Sequence, residues 1–205
     1  MEIVSITSGM ASENGYLLFK EGKCLVIDPG TEDMRFFDEI ERRNAKVEAI
    51  LLTHAHFDHI GGVDMLRRFT SAPAYIHPNE MKWLSNPNLN GSIKFNMPPL
   101  KVKPAEQTLK PGPLTIGPFH LHVLETPGHS PGSVTFYFKE ERMAFAGDLI
   151  FKRSVGRTDL EGGDQDVLMH SIDRVIAEIP HDTTFYPGHG PETTLRQEIK
   201  QNPFF

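Results

Sequence analysis

Four side chains that commonly bind metals lie within six consecutive positions, in the stretch LLTHAHFDHIGG at 51–62. This cluster directly follows an apolar run at 47–52, which predicts a buried strand. Imidazole and carboxylate groups are ligands for zinc, iron and manganese. The chain must therefore fold so that a strand ends in a polar loop able to bind metal. The four residues are His54, His56, Asp58 and His59.

The spacing within the cluster predicts how the ligands are presented. His54, His56 and Asp58 occupy alternate positions, so an extended segment would point them to one side. His59 starts the next turn and approaches from another angle, and the glycine pair that follows allows the backbone to turn tightly. In the motif H-E-x-x-H, by contrast, two ligands share one helix face. We expect ligands that extend from the end of a strand.

Three further candidate ligands each follow a later apolar run and stand beside a glycine. Strand ends that gather at one rim of a sandwich would bring them to the first cluster and predict one site with seven donors. They are His129 after the strand predicted at 113–125, Asp148 after 142–147 and His189 after 183–186. The remaining histidines lack this context and are predicted to cap an element or lie at the surface: His77, His120, His122, His170 and His181.

The order of predicted elements indicates an α/β fold. A long loop at 86–104, rich in Asn and Pro, interrupts an order of strands, helices, strands and helices. Sheets bury one face against each other and the other under helices, so we expect a four-layer αββα sandwich with residues 1–205 as one domain. Strands are predicted at 2–7, 15–20, 23–28, 47–52, 73–77, 113–125, 132–138, 142–147 and 183–186. Helices are predicted at 33–44, 63–69, 78–84, 165–179 and 191–201.

Composition argues against several classes of function. The net charge is −6 and no block of Lys and Arg occurs, so a nucleic-acid partner is not expected. No stretch reaches about 18 apolar residues, so we expect no membrane-spanning helix. Cys24 is the only cysteine, and the N-terminal stretch MEIVSITSGM lacks the pattern of a signal peptide. We therefore expect a cytoplasmic protein.

Several motifs occur in an order that resembles the metallo-β-lactamase fold superfamily. The resemblance runs through NGYLL, VIDPG, THAHFDH, TPGHSPGS, AGD and YPGHG, and so covers nearly the whole chain. Within that superfamily the chain is most similar to the glyoxalase II branch, the hydroxyacylglutathione hydrolases. The stretch SVGRTDLEGGD at 154–164 and the ending GHGPETT resemble the short single-domain members of that branch.

The resemblance implies a centre of two zinc ions per chain, although iron or manganese would accept the same ligands. Asp58 and Asp148 would be the catalytic carboxylates. Asp148 would bridge the two ions, and Asp58 would orient the nucleophile, a hydroxide bridging the same ions. The first ion would be held by His54, His56 and His129, and the second by Asp58, His59 and His189.

The implied reaction is hydrolysis of a small-molecule thioester such as a hydroxyacyl-glutathione. Arg157 resembles the basic residue that reaches the substrate in this branch, although a surface salt bridge is the other interpretation of this residue. Longer members carry a C-terminal helical extension that supplies part of the glutathione site, whereas this chain stops at Phe205. Bacillithiol, coenzyme A and simpler thioesters therefore fit equally well. Phe204 and Phe205 would pack back on the domain or form part of a homo-oligomer contact.

Other members of the same fold provide the alternatives. A persulfide dioxygenase would bind one iron through His54, His129 and Asp148, and its branch shares the stretch GRTD at 156–159. The ending GHGP at 188–191 favours the hydrolase. A β-lactamase is disfavoured because a bridging Asp is not the pattern of that group. A nuclease is disfavoured because the chain is acidic and lacks an added basic domain.

Overall fold

Two six-stranded sheets face each other in the computed structural model, which describes residues 1–205. Each half of the chain supplies one sheet, and helices cover the outer face of each. The predicted α/β fold and its four-layer αββα sandwich are confirmed. No helix is both long enough and apolar enough to cross a membrane.

The first half of the chain forms one sheet and its covering helices. Its elements are β1 (Glu2–Ser8), β2 (Glu13–Lys20), β3 (Lys23–Ile27), α1 (Arg35–Arg42), β4 (Lys46–Leu51), α2 (Phe57–Ile60), α3 (Val63–Thr70), β5 (Ala74–Ile76) and β6 (Gln107–Thr108). The strands pair in chain order. Strands β1 to β3 are antiparallel, and β3 to β6 are parallel. The predicted loop at 86–104 is confirmed, because only turns and irregular backbone connect Glu80 to β6.

The second half of the chain forms the facing sheet. Its elements are β7 (Gly112–Ile116), β8 (Phe119–Glu125), β9 (Val134–Phe138), β10 (Met143–Gly147), β11 (Ile150–Phe151), β12 (Ser154–Val155), α4 (Gln165–Glu178), β13 (Thr184–Pro187), β14 (Thr193–Thr194) and α5 (Leu195–Gln201). The spatial order is β14-β13-β10-β9-β8-β7, and β11 pairs with β12 separately. Only β10 and β13 are parallel neighbours.

Alternation along the strands explains why the first sheet is buried on both faces. Leu18 and Leu25 point into the core between the sheets, where Phe136 of the second sheet meets them. Leu17 and Val26, one position away in each strand, pack in the outer core with α1 and α3. Successive side chains of a strand point to opposite faces, so a strand covered on both sides must be apolar at every position. The continuous apolar runs in the sequence reflect this double burial.

Helix α4 covers the second sheet in the same way. Leu168, Ile172 and Val175 recur at helical spacing and pack with Phe185 of β13 in the other outer core. The helix begins where it was predicted, because the Asp164 side chain accepts hydrogen bonds from two backbone N–H groups of the first turn, at 2.9 and 3.0 Å.

Three predicted elements differ from the structure. The helix predicted at 78–84 is only a 3-10 turn at Pro78–Glu80, and the residues after it form turns. The strand predicted at 113–125 is a hairpin of β7 and β8, because the chain turns at Gly117, which has a left-handed φ of +53°. The helix predicted at 191–201 begins only at Leu195. Thr194 caps that helix, and the residues just before it pair with β13 as strand β14.

Replacing Phe136 with Ala should destabilise the protein strongly. The side chain is fully buried between the sheets, so its removal leaves a cavity, and we expect unfolding to cost about 3–5 kcal/mol less. Urea unfolding in the presence of a chelator measures this without a contribution from bound metal. The control, Val167→Ala on the exposed face of α4, should change stability by less than about 0.5 kcal/mol. Equal losses in both variants would contradict the assigned core.

Candidate metal centre

The ends of several strands meet at one rim of the sandwich, and the candidate ligands lie there. His54 follows β4, Asp148 follows β10 and His189 follows β13. Because β10 and β13 are parallel neighbours, their carboxyl ends reach the same edge. The structure brings together all seven residues singled out from the sequence: His54, His56, Asp58, His59, His129, Asp148 and His189.

Three imidazoles form the first set of donors, here called the three-histidine group. His54, His56 and His129 are buried and offer nitrogen atoms that lie within 4.8 Å of one another. Nδ1 of His56 is only 2.8 Å from Nε2 of His129. Two ring nitrogens at this distance need either a proton between them or a cation that accepts both lone pairs.

Beside it lies a second set of donors, the mixed group, which consists of Asp58, His59 and His189. The Asp148 carboxylate stands between the two groups. Its Oδ1 atom is 3.5 Å from Nε2 of His59, and its Oδ2 atom is 3.5 Å from Nε2 of His129 and 3.6 Å from Nε2 of His189. Asp148 is therefore placed to be shared by ions bound in both groups.

Three buried donor atoms of the centre have no hydrogen-bond partner in the protein. They are Nε2 of His54, Nε2 of His59 and Oδ1 of Asp148. A buried polar atom left unpaired costs about 1–3 kcal/mol, and coordination to a cation would remove that cost. Nitrogen and carboxylate oxygen donors without sulfur suit zinc, iron and manganese. The residues present therefore fit divalent metal ions.

Backbone carbonyls orient two of the imidazoles. Nδ1 of His129 lies 2.7 Å from the Arg157 carbonyl oxygen, and Nδ1 of His189 lies 3.1 Å from that of Ala11. A carbonyl oxygen can only accept, so each Nδ1 carries the proton. The Nε2 atom of each ring is then the one that faces the centre.

Asp28 supports the centre from behind, although it was not singled out from the sequence. Its Oδ1 atom accepts the Thr53 backbone N–H at 2.8 Å, and its Oδ2 atom accepts the Thr53 hydroxyl at 2.5 Å. The same Oδ2 atom lies 3.1 Å from Nδ1 of His59, and the Thr53 hydroxyl lies 3.1 Å from Nδ1 of His54. Asp28 directly follows β3, and the parallel pairing of β3 with β4, which brings the ends of both strands to one edge, shows its role only once the fold is known.

A helical turn, not an extended segment, presents Asp58 and His59. The turn is α2, which begins after His56, so the predicted alternation is wrong for Asp58. The long loop anchors this turn, because the Asn90 carbonyl accepts the Phe57 backbone N–H at 2.9 Å. Helical geometry therefore points the side chains of Asp58 and His59 toward His189, with which they form the mixed group.

The glycine pair after α2 provides close packing and not an unusual backbone conformation. Gly61 and Gly62 have φ values of −61° and −90°, which any residue adopts. A Cβ atom on Gly61 would collide with the carbonyl oxygen of Gly30, and one on Gly62 with that of Thr31. The pair therefore lets α2 pack directly on the loop that follows β3.

A cavity of about 480 Å³ opens over the donors. Arg157 lines it, but its guanidinium already donates two hydrogen bonds to Asp159, at 2.7 and 2.8 Å, and lies 5.4 Å above the Phe95 ring. A substrate carboxylate would therefore compete with Asp159 for this cation. The apolar part of the wall consists mainly of Met10, Phe57, Phe95, Met97, Phe151 and Leu160.

The other five histidines stay outside the centre. His77 accepts the Asn79 backbone N–H at 3.3 Å and so caps a short helical turn, as predicted. His120 and His122 lie exposed on β8, and the two remaining histidines are also exposed, in agreement with a surface position.

The two donor groups differ in protonation when no metal is bound. Burial lowers the pKa of every imidazole in the three-histidine group, that of His56 to about 3. In the mixed group burial acts in the same direction, but the Asp148 carboxylate raises the pKa of His59, and the Asp58 carboxylate raises that of His189. In the metal-free protein burial therefore favours the neutral form of the first group, whereas the neighbouring carboxylates favour the protonated form of His59 and His189.

Comparison with known sequences gives one family and close relatives. A family model described as the metallo-beta-lactamase superfamily matches residues 9–189. The probable metallo-hydrolase YqgX of Bacillus subtilis is 44% identical over 197 residues, which cover 96% of this chain and 93% of that protein. The hydroxyacylglutathione hydrolase GloC of Haemophilus influenzae is 31% identical, over 100% of this chain and 97% of that protein.

Solved structures show the same architecture. The BLEG-1 B3 metallo-beta-lactamase superposes with a TM-score of 0.96 at 43% identity, over 99% of both chains. TTHA1623 in a di-iron-bound form gives a TM-score of 0.86 at 39% identity, over 98% of this chain and 100% of the other. ETHE1 from Myxococcus xanthus gives a TM-score of 0.79 at 25% identity, over 99% of this chain and 84% of the other.

Metal affinity should depend on pH more steeply in the mixed group than in the three-histidine group. A raised pKa keeps an imidazole protonated, and a cation must displace that proton. Metal affinity therefore falls about tenfold for each unit by which the pH is lowered, for each proton released. His129→Ala leaves the mixed group as the intact site, and His189→Ala leaves the three-histidine group. We expect Co²⁺ titrations between pH 5.5 and 7.5 to show the steeper fall for His129→Ala. Equal slopes would contradict the assigned protonation.

Proposed function

This chain belongs to the metallo-beta-lactamase superfamily, and on that premise we propose that it is a hydrolase that uses two metal ions to cleave a thioester. The position of Asp148 carries the proposal, because its oxygens face both donor groups at 3.5–3.6 Å. A carboxylate in this position can serve two cations. A single cation would leave one of the two donor groups unused.

In this proposal the three-histidine group would hold one ion and the mixed group the other, with Asp148 available to both. We propose zinc as the metal; manganese suits the same donors, and the di-iron-bound form of TTHA1623 supports iron as the alternative. When bound, the ions acidify water so that a nucleophile is available near neutral pH, and they polarise the acyl carbonyl.

Asp58 is the residue that we assign to orient the attacking water. It lines the cavity, and its Oδ2 atom lies 3.4 Å from Nε2 of His189. Burial alone would raise the pKa of Asp58, but the contact with His189 holds it below its ordinary value. The Asp58 carboxylate is therefore ionised and able to accept a hydrogen bond from the attacking water. The apolar wall of the cavity limits access of bulk water to the acyl group.

Two observations support a thioester as the substrate. The relative GloC is named a hydroxyacylglutathione hydrolase. In addition, the cavity combines apolar walls with one guanidinium, that of Arg157, which suits an acyl group attached to a carrier with a carboxylate. Glutathione, bacillithiol and coenzyme A remain the alternatives for the thiol. We further propose a cytoplasmic location, a small-molecule substrate and no nucleic-acid or membrane partner.

Two other reactions of the same centre are supported by specific similarities. The similarity to ETHE1 keeps the mononuclear iron persulfide dioxygenase as the second candidate. The similarity to BLEG-1, which is named a B3 metallo-beta-lactamase, makes β-lactams a third class of substrate to test.

Metal analysis with a substrate panel separates these reactions. Protein purified without added metal is analysed for zinc, iron and manganese, then assayed with S-lactoylglutathione, acetyl-coenzyme A, glutathione persulfide and a β-lactam. Two metal ions per chain with thioester hydrolysis would support the proposal. One iron per chain with oxygen uptake on the persulfide would overturn it in favour of the dioxygenase. If only the β-lactam is hydrolysed, the thioester proposal is wrong.

Asp148→Asn should abolish most activity. The substitution keeps the shape of the side chain but removes the charge that faces both donor groups, so we expect kcat/KM to fall by about 100-fold or more and metal content to fall below two ions per chain. The control is Asp173→Asn on the exposed face of α4, which should resemble the unsubstituted protein. Full turnover with two retained ions in Asp148→Asn would end the assignment.

Arg157→Ala should discriminate between charged and uncharged thioesters. If Arg157 binds a carboxylate of the substrate, KM for S-lactoylglutathione should rise by about two- to fivefold, the range of an exposed ion pair, while that for an uncharged thioester should not change. Asp159→Asn releases the guanidinium and should shift KM for the charged substrate in the opposite direction. If KM for both substrates changes equally, Arg157 has a structural role only.

A further inference from the structure

A carboxylate outside the donor groups connects the two loops that supply the three-histidine group. Glu80 is fully buried at the end of the helical turn Pro78–Glu80. Its Oε2 atom accepts the Ala55 backbone N–H at 2.5 Å. Its Oε1 atom accepts the Ser130 hydroxyl at 2.5 Å and the Gly132 backbone N–H at 2.8 Å.

The partners of this carboxylate lie directly beside metal-ligand candidates. Ala55 stands between His54 and His56, and Ser130 follows His129. The first loop continues from β4 of one sheet, and the second continues from β8 of the other. Glu80 therefore joins the two segments whose imidazoles must meet.

The neighbouring residues are shaped to admit this carboxylate. A Cβ atom on Gly132 would lie 2.9 Å from Cγ of Glu80 and 3.0 Å from Nδ1 of His77, so only glycine allows the close approach. The Ser133 hydroxyl lies 2.7 Å from that of Ser130 and completes the network. The hydrogen bonds are thus part of a packed, fully buried arrangement.

We propose that Glu80 is a positioning residue for the three-histidine group: its two oxygens hold the loop of His54 and His56 at the distance from His129 that a shared cation requires. This inference rests on the metal assignment made above but not on the identity of the substrate. Glu80 touches neither the donor atoms nor the cavity, so it acts only through the backbone and the serine of these loops.

Glutamine is the informative substitution because it keeps the size and removes one acceptor. Three donors converge on two acceptor oxygens in the native protein, on both sides of the carboxylate. An amide has one acceptor and one donor, so in either orientation its NH₂ group faces a backbone N–H. The facing N–H groups repel each other, so either the loop with Ala55 or the loop with Gly132 must move away from residue 80.

A matched control exists elsewhere in the chain. Glu198 is also buried and also accepts three hydrogen bonds, from the Arg153 backbone N–H, the Asn202 amide and the Thr193 hydroxyl. These partners lie outside both donor groups. Glu198→Gln should therefore cost stability without a specific effect on metal binding.

The test uses Co²⁺ as the probe, with metal-free full-length protein in three backgrounds. In His189→Ala, where the three-histidine group is the intact site, Glu80→Gln should weaken Co²⁺ binding by about 10- to 100-fold. In His129→Ala, where the mixed group is the intact site, the same substitution should change affinity by less than about threefold. Glu198→Gln should leave affinity unchanged in both backgrounds. The third background is the unsubstituted protein, in which Ser130→Ala and Glu80→Gln are compared. Ser130→Ala removes only one hydrogen bond to Glu80, so it should change the visible Co²⁺ spectrum less than Glu80→Gln does.

Two results would overturn the proposal. One is unchanged Co²⁺ affinity of Glu80→Gln in the His189→Ala background. The other is an equal loss in both backgrounds, or an equal loss with Glu198→Gln, which would indicate general destabilisation. Because no substrate is present, failure of thioester hydrolysis leaves the result interpretable, so this proposal and the proposed function can fail independently.

Discussion

The contact between His56 and His129 joins the two halves of the chain. The other distances within the metal centre likewise require the two sheets to stay in place relative to each other. The two ring nitrogens lie 2.8 Å apart, yet one residue follows the first sheet and the other follows the second. A displacement of one sheet by about 1 Å would break a donor set of this kind. The apolar core between the sheets, with Leu18 and Phe136 among its members, therefore positions the donors as well as stabilising the fold.

Topology explains why the donors gather at one rim. Parallel pairs, β3 with β4 and β10 with β13, each bring two carboxyl strand ends to the same edge. Residues that follow those strands, such as Asp28 and Asp148, then reach the same imidazole, that of His59, although they are far apart in sequence. The loops that follow these strands pack closely at the same edge, because glycines there let one backbone lie directly on another.

The sequence predicted the ligand candidates well and the supporting contacts poorly, for a physical reason. Density of His and Asp beside apolar runs is a local property, and it sufficed to single out the seven residues that the structure brings together. The helical turn that carries Asp58 depends on a contact with the distant Asn90, and the roles of Asp28 and Glu80 depend on donors 25 to 52 positions away. No local pattern distinguishes such an acid from one at the surface, so these residues appear only once the fold is known.

Buried carboxylates near the centre differ in the hydrogen-bond donors that surround them. Asp28 and Glu80 each accept hydrogen bonds on both oxygens. Burial raises the pKa of Glu80, and the hydrogen bonds from Ser130, Gly132 and Ala55 oppose that rise. Glu13 is equally buried, 3.9 Å from Nδ1 of His59, but neither of its oxygens has a partner, and burial raises its pKa well above the ordinary value. Burial therefore favours the uncharged form of Glu13. How readily a buried acid near the donor groups holds a negative charge thus depends on where backbone and hydroxyl donors point.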